Sequence, residues 1–140
     1  MREPYTQLYV HLVWSTWDRQ PLMSPVIKVA VYTCIKAECI TLKAEAFAVG
    51  GTADHVHVLV RIPSTVSIAE LVKQIKGASS HLVTHTVADA QSFKWQGAYG
   101  AFTVSKPLVS SVRSYILRQE DHHKAKTTDR NMEVAWDPEE

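Results

Sequence analysis

Residues 52–62 alternate in a way that predicts a β-strand with one buried face. Side chains on an extended chain point alternately to opposite faces, so the strand separates two sets of residues. One set is aliphatic and predicts the core side: Val56, Val58, Val60 and Ile62. The other set carries two histidines: His55, His57, Leu59 and Arg61. We therefore expect a histidine pair on the face of the sheet that lies away from the core.

Three further runs have strand character because they are short, apolar and rich in β-branched and aromatic residues. They lie at residues 8–14, 44–49 and 99–104. Gly50 and Gly51 separate the second of these runs from the histidine strand, and Asp54 follows them. Glycine and aspartate favour turns, so we expect a hairpin with its tight turn at Gly50-Gly51.

Three stretches have helical character instead. Ser24 followed by Pro25 gives the N-cap and first-turn proline of a helix that should end near Thr41. Ser67 caps a second long helix, in which apolar residues recur three, four or seven positions apart. A third helix is expected over residues 108–123.

Two details of the helices bear on packing. The buried stripe of the first helix is expected to contain Val26, Val29, Ala30, Thr33, Ile35, Ala37 and Ile40. Gly77 lies inside the second helix, where glycine costs about 1 kcal/mol relative to alanine. Such a glycine indicates close approach of a strand, a partner or a phosphate, and packing is our first interpretation.

The order of elements, β-α-β-β-α-β followed by a helix, is typical of the ferredoxin-like split βαβ fold of the α+β class. We expect one domain over residues 1–140, with a core at about 5–123 and a polar tail at 124–140. One antiparallel sheet would carry two helices on one face. The histidines would then lie on the open face, together with Tyr9, His11 and Val13 of the first strand.

Composition indicates what class of protein this is and where it is located. The chain has 140 residues, of which 46% are hydrophobic and 21% charged, as in an ordinary globular domain. No apolar run approaches the ~18 residues of a membrane span, and the first residues lack the apolar region of a signal peptide. We interpret Cys34 and Cys39 as reduced helix residues. A cytoplasmic location is expected.

Charge is unevenly distributed along the chain although the net charge is only +1. Residues 71–131 carry nine basic and four acidic groups, and residues 132–140 carry four acidic groups and no basic one. The basic segment is suited to binding phosphates, and a merely solvated surface is nearly as good an explanation.

The histidine pair and the third helix together suggest a metal-dependent site. His55 and His57 lie roughly 6.5–7 Å apart along the strand, so both rings can lean onto one ion. Tyr115 and Gln119 are four residues apart and project from one helical face that can cover the pair. Each feature has an ordinary alternative: incidental histidines, and a tyrosine half-buried beneath its helix.

With these residues in place, the chain resembles the single-tyrosine HUH transposases of the smallest bacterial insertion sequences and their REP-associated relatives. The resemblance covers most of the chain, in segments 9–16 with Arg19, 54–59, 76–80, 95–99 and 115–119. A His-x-His pair alone is a weak motif. In this order, with a Tyr-x-x-x-Gln helix about sixty residues later, the combination is specific.

The resemblance implies a site and a reaction. His55, His57 and Gln119 would bind a divalent metal, Mg²⁺ or Mn²⁺, and Tyr115 would be the nucleophile. The family cleaves and rejoins single-stranded DNA through a 5′-phosphotyrosine and recognises hairpins at element ends. The resemblance also implies a homodimer in which the tyrosine helix of one subunit can serve the histidines of the other. Ser105-Lys106-Pro107 is a candidate hinge for that exchange.

Several basic and aromatic residues are candidates for DNA contact: Lys73, Lys76, Lys94, Trp95, Arg113 and Arg118. Trp95 or Tyr99 could stack on an unpaired base, although Trp95 is equally well explained as an aromatic at the core edge. His122 and His123 are candidates for proton transfer or phosphate contact, and solvent-facing histidines are the simpler explanation.

The resemblance weakens after His123. Relatives that share the Gln-Glu-x-His-His ending continue into another helix, whereas residues 127–131 here lead to a short acidic end. We therefore expect target recognition or dimer stability to differ from theirs.

Three alternatives compete with a transposase. The main one is a non-catalytic protein that descends from such an enzyme and only binds DNA hairpins. It would have no need of the complete set His55, His57, Tyr115 and Gln119. A structural domain with a metal-stapled sheet would not explain the Tyr-x-x-x-Gln helix. A histidine-triad nucleotide hydrolase needs a third histidine where this chain has Leu59.

Overall fold

A computed structural model describes residues 2–136 of the chain. This part forms four strands: β1 (Tyr9–Ser15), β2 (Glu45–Gly51), β3 (His55–Arg61) and β4 (Gly100–Val104). It also forms four helices: α1 (Pro25–Thr41), α2 (Ile68–Thr86), α3 (Val109–Leu117) and α4 (Gln119–Ala125). Short 3₁₀ turns lie at Trp17–Arg19, Lys106–Leu108 and Arg130–Met132. None of the helices in this range is long and apolar enough to cross a membrane.

The strands form one antiparallel sheet in the order β2-β3-β1-β4. This order and the two crossover helices confirm the predicted ferredoxin-like fold. In the centre of the sheet β1 pairs with β3, and the register places Ser15 opposite His55 and Val13 opposite His57. Directly opposite residues share a face, so both histidines lie beside side chains of β1.

The main core lies between α1, α2 and the valine face of β3, as predicted. Val56, Val58 and Val60 are fully buried there, together with Leu12 and Trp14 of β1. Each such aliphatic side chain contributes roughly 1.5–3 kcal/mol by burial. A second, smaller cluster lies on the opposite face, where α3 packs on the sheet. Because α3 also covers this second face, the histidines that lie on it are buried as well.

The predicted buried stripe of α1 is wrong, because the helix buries a different side. The helix begins after the Ser24 cap as expected, but its buried residues are Ile27, Val31, Ile35 and Cys39. Val26, Val29 and Ile40 are 67%, 68% and 75% exposed. The helix is apolar on more than one side, so periodicity alone does not fix its orientation. Packing on α2 and β2 selects the stripe that is buried.

The predicted turn at Gly50-Gly51 is also wrong. Both glycines belong to β2, and Gly50 pairs with His57 and Gly51 with Val56. The turn is made by residues 52–54, and the Thr52 amide donates to the His55 carbonyl. Gly50 has a different role: a Cβ atom on it would overlap the carbonyl oxygen of Ile116 in α3. Glycine here allows the helix to approach the sheet backbone.

The C-terminal segment differs from the expected single helix over 108–123. At Arg118 the backbone leaves helical geometry (φ −110°, ψ 26°), and α4 begins at the next residue. Beyond α4 the chain returns to the sheet instead of extending into solvent. Ala135 is buried, and the Val134 carbonyl lies where a Cβ on Gly100 would be. Residues 129–136, which we call the tail segment, therefore cover part of the open face.

Gly50 and Gly77 give opposite expectations for substitution by alanine. Gly50→Ala should destabilise the protein by about 1–3 kcal/mol, because Ile116 must move away. Apart from the adjoining backbone of its own helix, no atom of residues 2–136 lies within 4 Å of a Cβ on Gly77, which corrects our packing interpretation of this glycine. Gly77→Ala should therefore stabilise the helix by about 0.5–1 kcal/mol. Urea unfolding followed by circular dichroism measures both, and equal effects of the two variants would contradict the described packing of α3.

Candidate functional site

Two buried histidines on β3 form the centre of the site. His55 and His57 are 1% and 0% exposed, with ring centroids 5.0 Å apart. His57 Nδ1 shares a hydrogen bond of 2.8 Å with Nε2 of His11 on β1. His55 Nδ1 lies 2.7 Å from the Asp54 carboxylate. Because the Nδ1 atoms are engaged, both Nε2 atoms are left to face the same space.

Helix α3 brings Tyr115 over the histidine pair. Val112 and Ile116 pack on Leu59 and hold the helix against the sheet. The Tyr115 ring lies edge-on to His57, at 6.1 Å between centroids, and stacks on His122 at 4.7 Å. The predicted cover of the histidines by this tyrosine therefore matches the geometry.

Gln119 reaches the site from the first position of α4. Its side chain is 1% exposed, and its Oε1 lies 3.0 Å from His55 Nε2 and 3.1 Å from His123 Nε2. The kink at Arg118 thus keeps Tyr115 and Gln119 on the same side, as the four-residue spacing predicted. His123 is partly exposed, and its Nε2 lies within contact distance of the site.

Glu133 of the tail segment is a site residue that the sequence analysis missed. Its carboxylate lies 3.3 Å from His55 Nε2, 3.2 Å from His57 Nε2 and 3.2 Å from His123 Nε2. It also accepts a hydrogen bond of 2.6 Å from the Tyr115 hydroxyl. The tail has no long apolar period, and in the sequence Glu133 is one of four acidic residues near the C-terminal end. The sequence offered no signal for its position.

The tail segment is held in place by its own local bonds. The Asp129 side chain accepts from the Asn131 amide at 2.9 Å and so caps the 3₁₀ turn before Glu133. The Asp129 amide donates to the Tyr115 hydroxyl oxygen at 2.9 Å. Tyr115 therefore both receives a hydrogen bond from the tail and donates one to it, which fixes the direction of its hydroxyl.

Burial and hydrogen bonding shift the pKa values of the ionisable groups in the site. Burial would raise the pKa of Glu133, but hydrogen bonds with His55 and His57 outweigh it and hold that pKa well below its usual range. Burial would lower the pKa of His55, yet its bonds to Asp54, Glu133 and Gln119 raise it to about 9. Burial, followed by the hydrogen bond to Glu133, raises the pKa of Tyr115 to about 12. A protonated phenol thus faces an ionised carboxylate.

The donor set fits a divalent cation. One ligand atom each from His55, His57 and Glu133 lies within 4.8 Å of the others. Imidazole nitrogens and a carboxylate oxygen suit several divalent ions, and the set does not select one of them. Gln119 Oε1, beside His55 Nε2, can add a further oxygen.

The predicted DNA contacts are not all at the surface. Lys73, Lys94, Arg113 and Arg118 are exposed. Trp95 is 7% exposed and belongs to the main core, where its Nε1 donates to Ser79 Oγ at 3.0 Å. This position favours the core-edge explanation over base stacking. Tyr99 is partly buried against the same core.

Lys76 has a structural partner. Its ammonium donates to the carbonyl oxygens of Gln96 and Ala98, the latter at 3.2 Å. Burial lowers its pKa. It therefore ties α2 to the loop before β4, and it is less available to a phosphate than Lys73 on the same helix.

Comparisons with known proteins agree with this fold. The structure is similar to that of a Deinococcus radiodurans R1 protein provisionally assigned as a transposase (TM-score 0.70, 22% identity, 83% of this chain and 93% of the other). It is also similar to a REP-associated tyrosine transposase bound to a REP hairpin (TM-score 0.64, 14% identity, 91% of this chain and 74% of the other). No curated protein matches the chain.

The fold is thus that of tyrosine transposase structures. The family model described as "Transposase IS200 like" matches residues 4–119. The chain therefore belongs to the IS200-like transposase family. The match ends at Gln119, so the tail segment with Glu133 lies beyond the matched residues.

Lys76 and Lys73 form a matched pair on α2. Lys76→Met should lower the free energy of unfolding by about 1 kcal/mol, because two partly buried hydrogen bonds to carbonyl oxygens are lost. Lys73→Met changes the same charge at an exposed position and should leave stability within about 0.5 kcal/mol. Thermal unfolding of both variants measures the difference, and similar melting temperatures would mean that the Lys76 contacts contribute nothing.

Proposed function

We propose that this transposase cleaves and rejoins single-stranded DNA through a covalent bond between Tyr115 and a 5′-phosphate, with a divalent cation at the histidine pair. One observation carries the proposal. The Tyr115 hydroxyl donates at 2.6 Å to Glu133, and that carboxylate also lies 3.2–3.3 Å from Nε2 of His57 and His55. A nucleophile and a cation site thus share one carboxylate.

The proposed ligands are His55, His57 and Gln119, with Glu133 as an additional oxygen donor. A divalent cation bound by them, Mg²⁺ or Mn²⁺, would polarise a phosphate oxygen and offset the negative charge that develops at phosphorus. Asp54 and His11 hold the imidazoles through Nδ1, so the protein orients both Nε2 atoms before any ligand arrives.

Tyr115 supplies the nucleophile. Its hydroxyl oxygen forms a bond to phosphorus while the bond from phosphorus to the 3′-oxygen breaks. The products are a 5′-phosphotyrosine and a strand with a 3′-hydroxyl. Because the pKa of Tyr115 is about 12, the phenol stays protonated until attack. Its proton leaves as the oxygen attacks and passes through water to the departing 3′-oxygen, while Glu133 orients the hydroxyl as its hydrogen-bond acceptor.

A tyrosyl link suits a rejoining reaction. The phosphodiester energy is kept in the bond to Tyr115, so a second 3′-hydroxyl can attack the phosphorus and restore a DNA strand without ATP. Hydrolysis of the link would lose that energy. Burial of Tyr115 beneath the α3 cover helps to keep water from the link.

DNA is the proposed partner. One structurally similar transposase was solved with a REP hairpin, and we extend this to single-stranded DNA with hairpins at element ends. Arg113 and Arg118 are exposed and lie on the same side of the sheet as the site, where they can meet the strand. Lys73 lies on α2, beyond the opposite face, and is the least suited of the proposed cations.

A homodimer stays a prediction. The 3₁₀ turn Lys106–Leu108 joins β4 to α3 and is the place where a helix exchange between subunits would occur. In the structure Tyr115 and Gln119 meet the histidines of their own chain. This geometry lets one subunit bring the tyrosine, the glutamine and both histidines together.

Tyr115→Phe should abolish covalent DNA attachment. The change removes the nucleophilic oxygen and leaves the ring that packs on His122. Labelled single-stranded DNA from both flanks of the protein's gene, incubated with Mn²⁺ or Mg²⁺, is analysed on a denaturing gel. The wild-type protein should form an adduct that EDTA prevents. Hairpin binding without any adduct would support the non-catalytic DNA-binding protein instead.

Glu133→Gln should weaken Mn²⁺ binding by about 10–100-fold and reduce adduct formation by about tenfold or more, since the anionic oxygen that can bind the cation and that orients the Tyr115 hydroxyl is lost. Calorimetric titration with Mn²⁺ and the adduct assay measure the two effects. Glu120→Gln on the exposed part of α4 is the matched control. Unchanged Mn²⁺ affinity would remove Glu133 from the ligand set, and increased adduct formation would mean that Glu133 obstructs the site.

A further inference from the structure

A cavity of about 350 Å³ lies at one end of the open face, beside the histidine site, and four of its five lining residues are polar. This volume is within the range of small-ligand sites, ~300–1,000 Å³. Five residues from four separate parts of the chain line it: Ser15, Asp18, Arg19, Gln96 and Trp136. None of them was among the predicted site residues.

Ser15 places the cavity next to the site. It lies opposite His55 in the sheet register, on the same face, at about one strand spacing of ~4.8 Å. The side chain is 1% exposed, yet its Oγ has no hydrogen-bond partner among the residues that the structure describes. An unpaired buried hydroxyl is unfavourable, and a ligand in the cavity can satisfy it.

Another part of the lining, the turn that contains Asp18 and Arg19, is held in place by hydrogen bonds within the protein. Asp18 and Arg19 both have positive φ (51° and 49°), which is uncommon for residues other than glycine. The Gln96 side chain accepts from the Asp18 amide at 3.0 Å, and the Arg19 amide donates to Thr16 O at 3.1 Å. These bonds hold the turn in a strained shape that points polar side chains at the cavity.

The chemistry of the lining fits a nucleobase better than a phosphate. Asp18 and Arg19 carry opposite charges, so the lining has no net positive charge, and Arg19 also pairs with Asp54 at 3.6 Å. Together the side chains offer both donors and acceptors, as a base edge requires. Trp136 is 49% exposed and gives an aromatic face on which a base can stack.

We propose that this cavity binds one unpaired base of the DNA strand, the base adjacent to the phosphate that Tyr115 attacks. The inference rests on the proposed function for the passage of the strand over the histidines. Arg19 connects the cavity to the site, because it contacts Asp54 and Asp54 contacts His55. A base held here would fix the register of the strand relative to the nucleophile.

Binding to defined oligonucleotides tests the cavity separately from the chemistry. Fluorescein-labelled strands of about a dozen abasic residues carry one central guest: dA, dC, dG, dT or a further abasic residue. Affinities are measured by anisotropy in the Tyr115→Phe background, where no cleavage is expected. At least one guest base should bind about tenfold more tightly than the abasic strand, as expected for one stacked and hydrogen-bonded base.

Two variants and one control assign the preference to the cavity. Trp136→Ala should remove most of it, and Ser15→Ala should reduce it about fivefold, the equivalent of one hydrogen bond. Ser15→Ala should not lower the melting temperature, since the hydroxyl has no partner among residues 2–136. Gln74→Ala, on α2 beyond the other face of the sheet, should leave the preference unchanged.

Equal affinity for the abasic strand and all four bases would overturn the proposal, as would a failure to bind any of the strands. Equal weakening of every strand by Trp136→Ala and Ser15→Ala would indicate a phosphate contact and also overturn it. Base preference without a Tyr115 adduct on flank DNA would reject the cleavage chemistry and keep the cavity. An adduct without base preference would keep the cleavage chemistry and reject the proposed base-binding cavity.

Discussion

The contact between α3 and the backbone of β2 is the constraint on which the site depends. Gly50 lets the helix approach until the Ile116 carbonyl lies where a side chain would be. At that separation Val112 and Ile116 seal the smaller apolar cluster over Leu59. The same approach brings the Tyr115 ring to the edge of His57. A helix held further from the sheet would leave two exposed imidazoles and a distant phenol.

A half-buried carboxylate among imidazoles is tolerable only because each polar atom has a partner. Removal of an ionised Glu133 from water is costly, and hydrogen bonds from His55, His57 and Tyr115 offset that cost. These bonds fix the distribution of charge: the Tyr115 phenol is protonated and the Glu133 carboxylate is ionised. The two imidazoles are fixed through their Nδ1 atoms. Asp54 and His11 hold the imidazoles at their other nitrogen, so the polar network includes the strands β1 and β3, the turn before β3 and the C-terminal segment.

The sequence predicted the fold well because strand alternation and helix caps are local signals. The period of β3 alone placed His55 and His57 opposite the valine core, and Ser24 and Ser67 marked both helix starts. Where tertiary contacts decide, prediction failed: the stripe of α1 was out of phase, and Gly50 serves a helix contact instead of a turn. Glu133 could not be found, since its position depends on how an irregular segment crosses the sheet.

The place of Glu133 in the chain also sets an order of assembly. All four strands, residues 9–104, are synthesised before the tail segment emerges, so the histidine pair can pack while its carboxylate partner does not yet exist. The phenol of Tyr115 and the amide of Gln119 arrive next, and the acidic group arrives last. A nascent chain therefore carries the imidazoles without Glu133, and this polar network closes only after nearly every other described residue has been made.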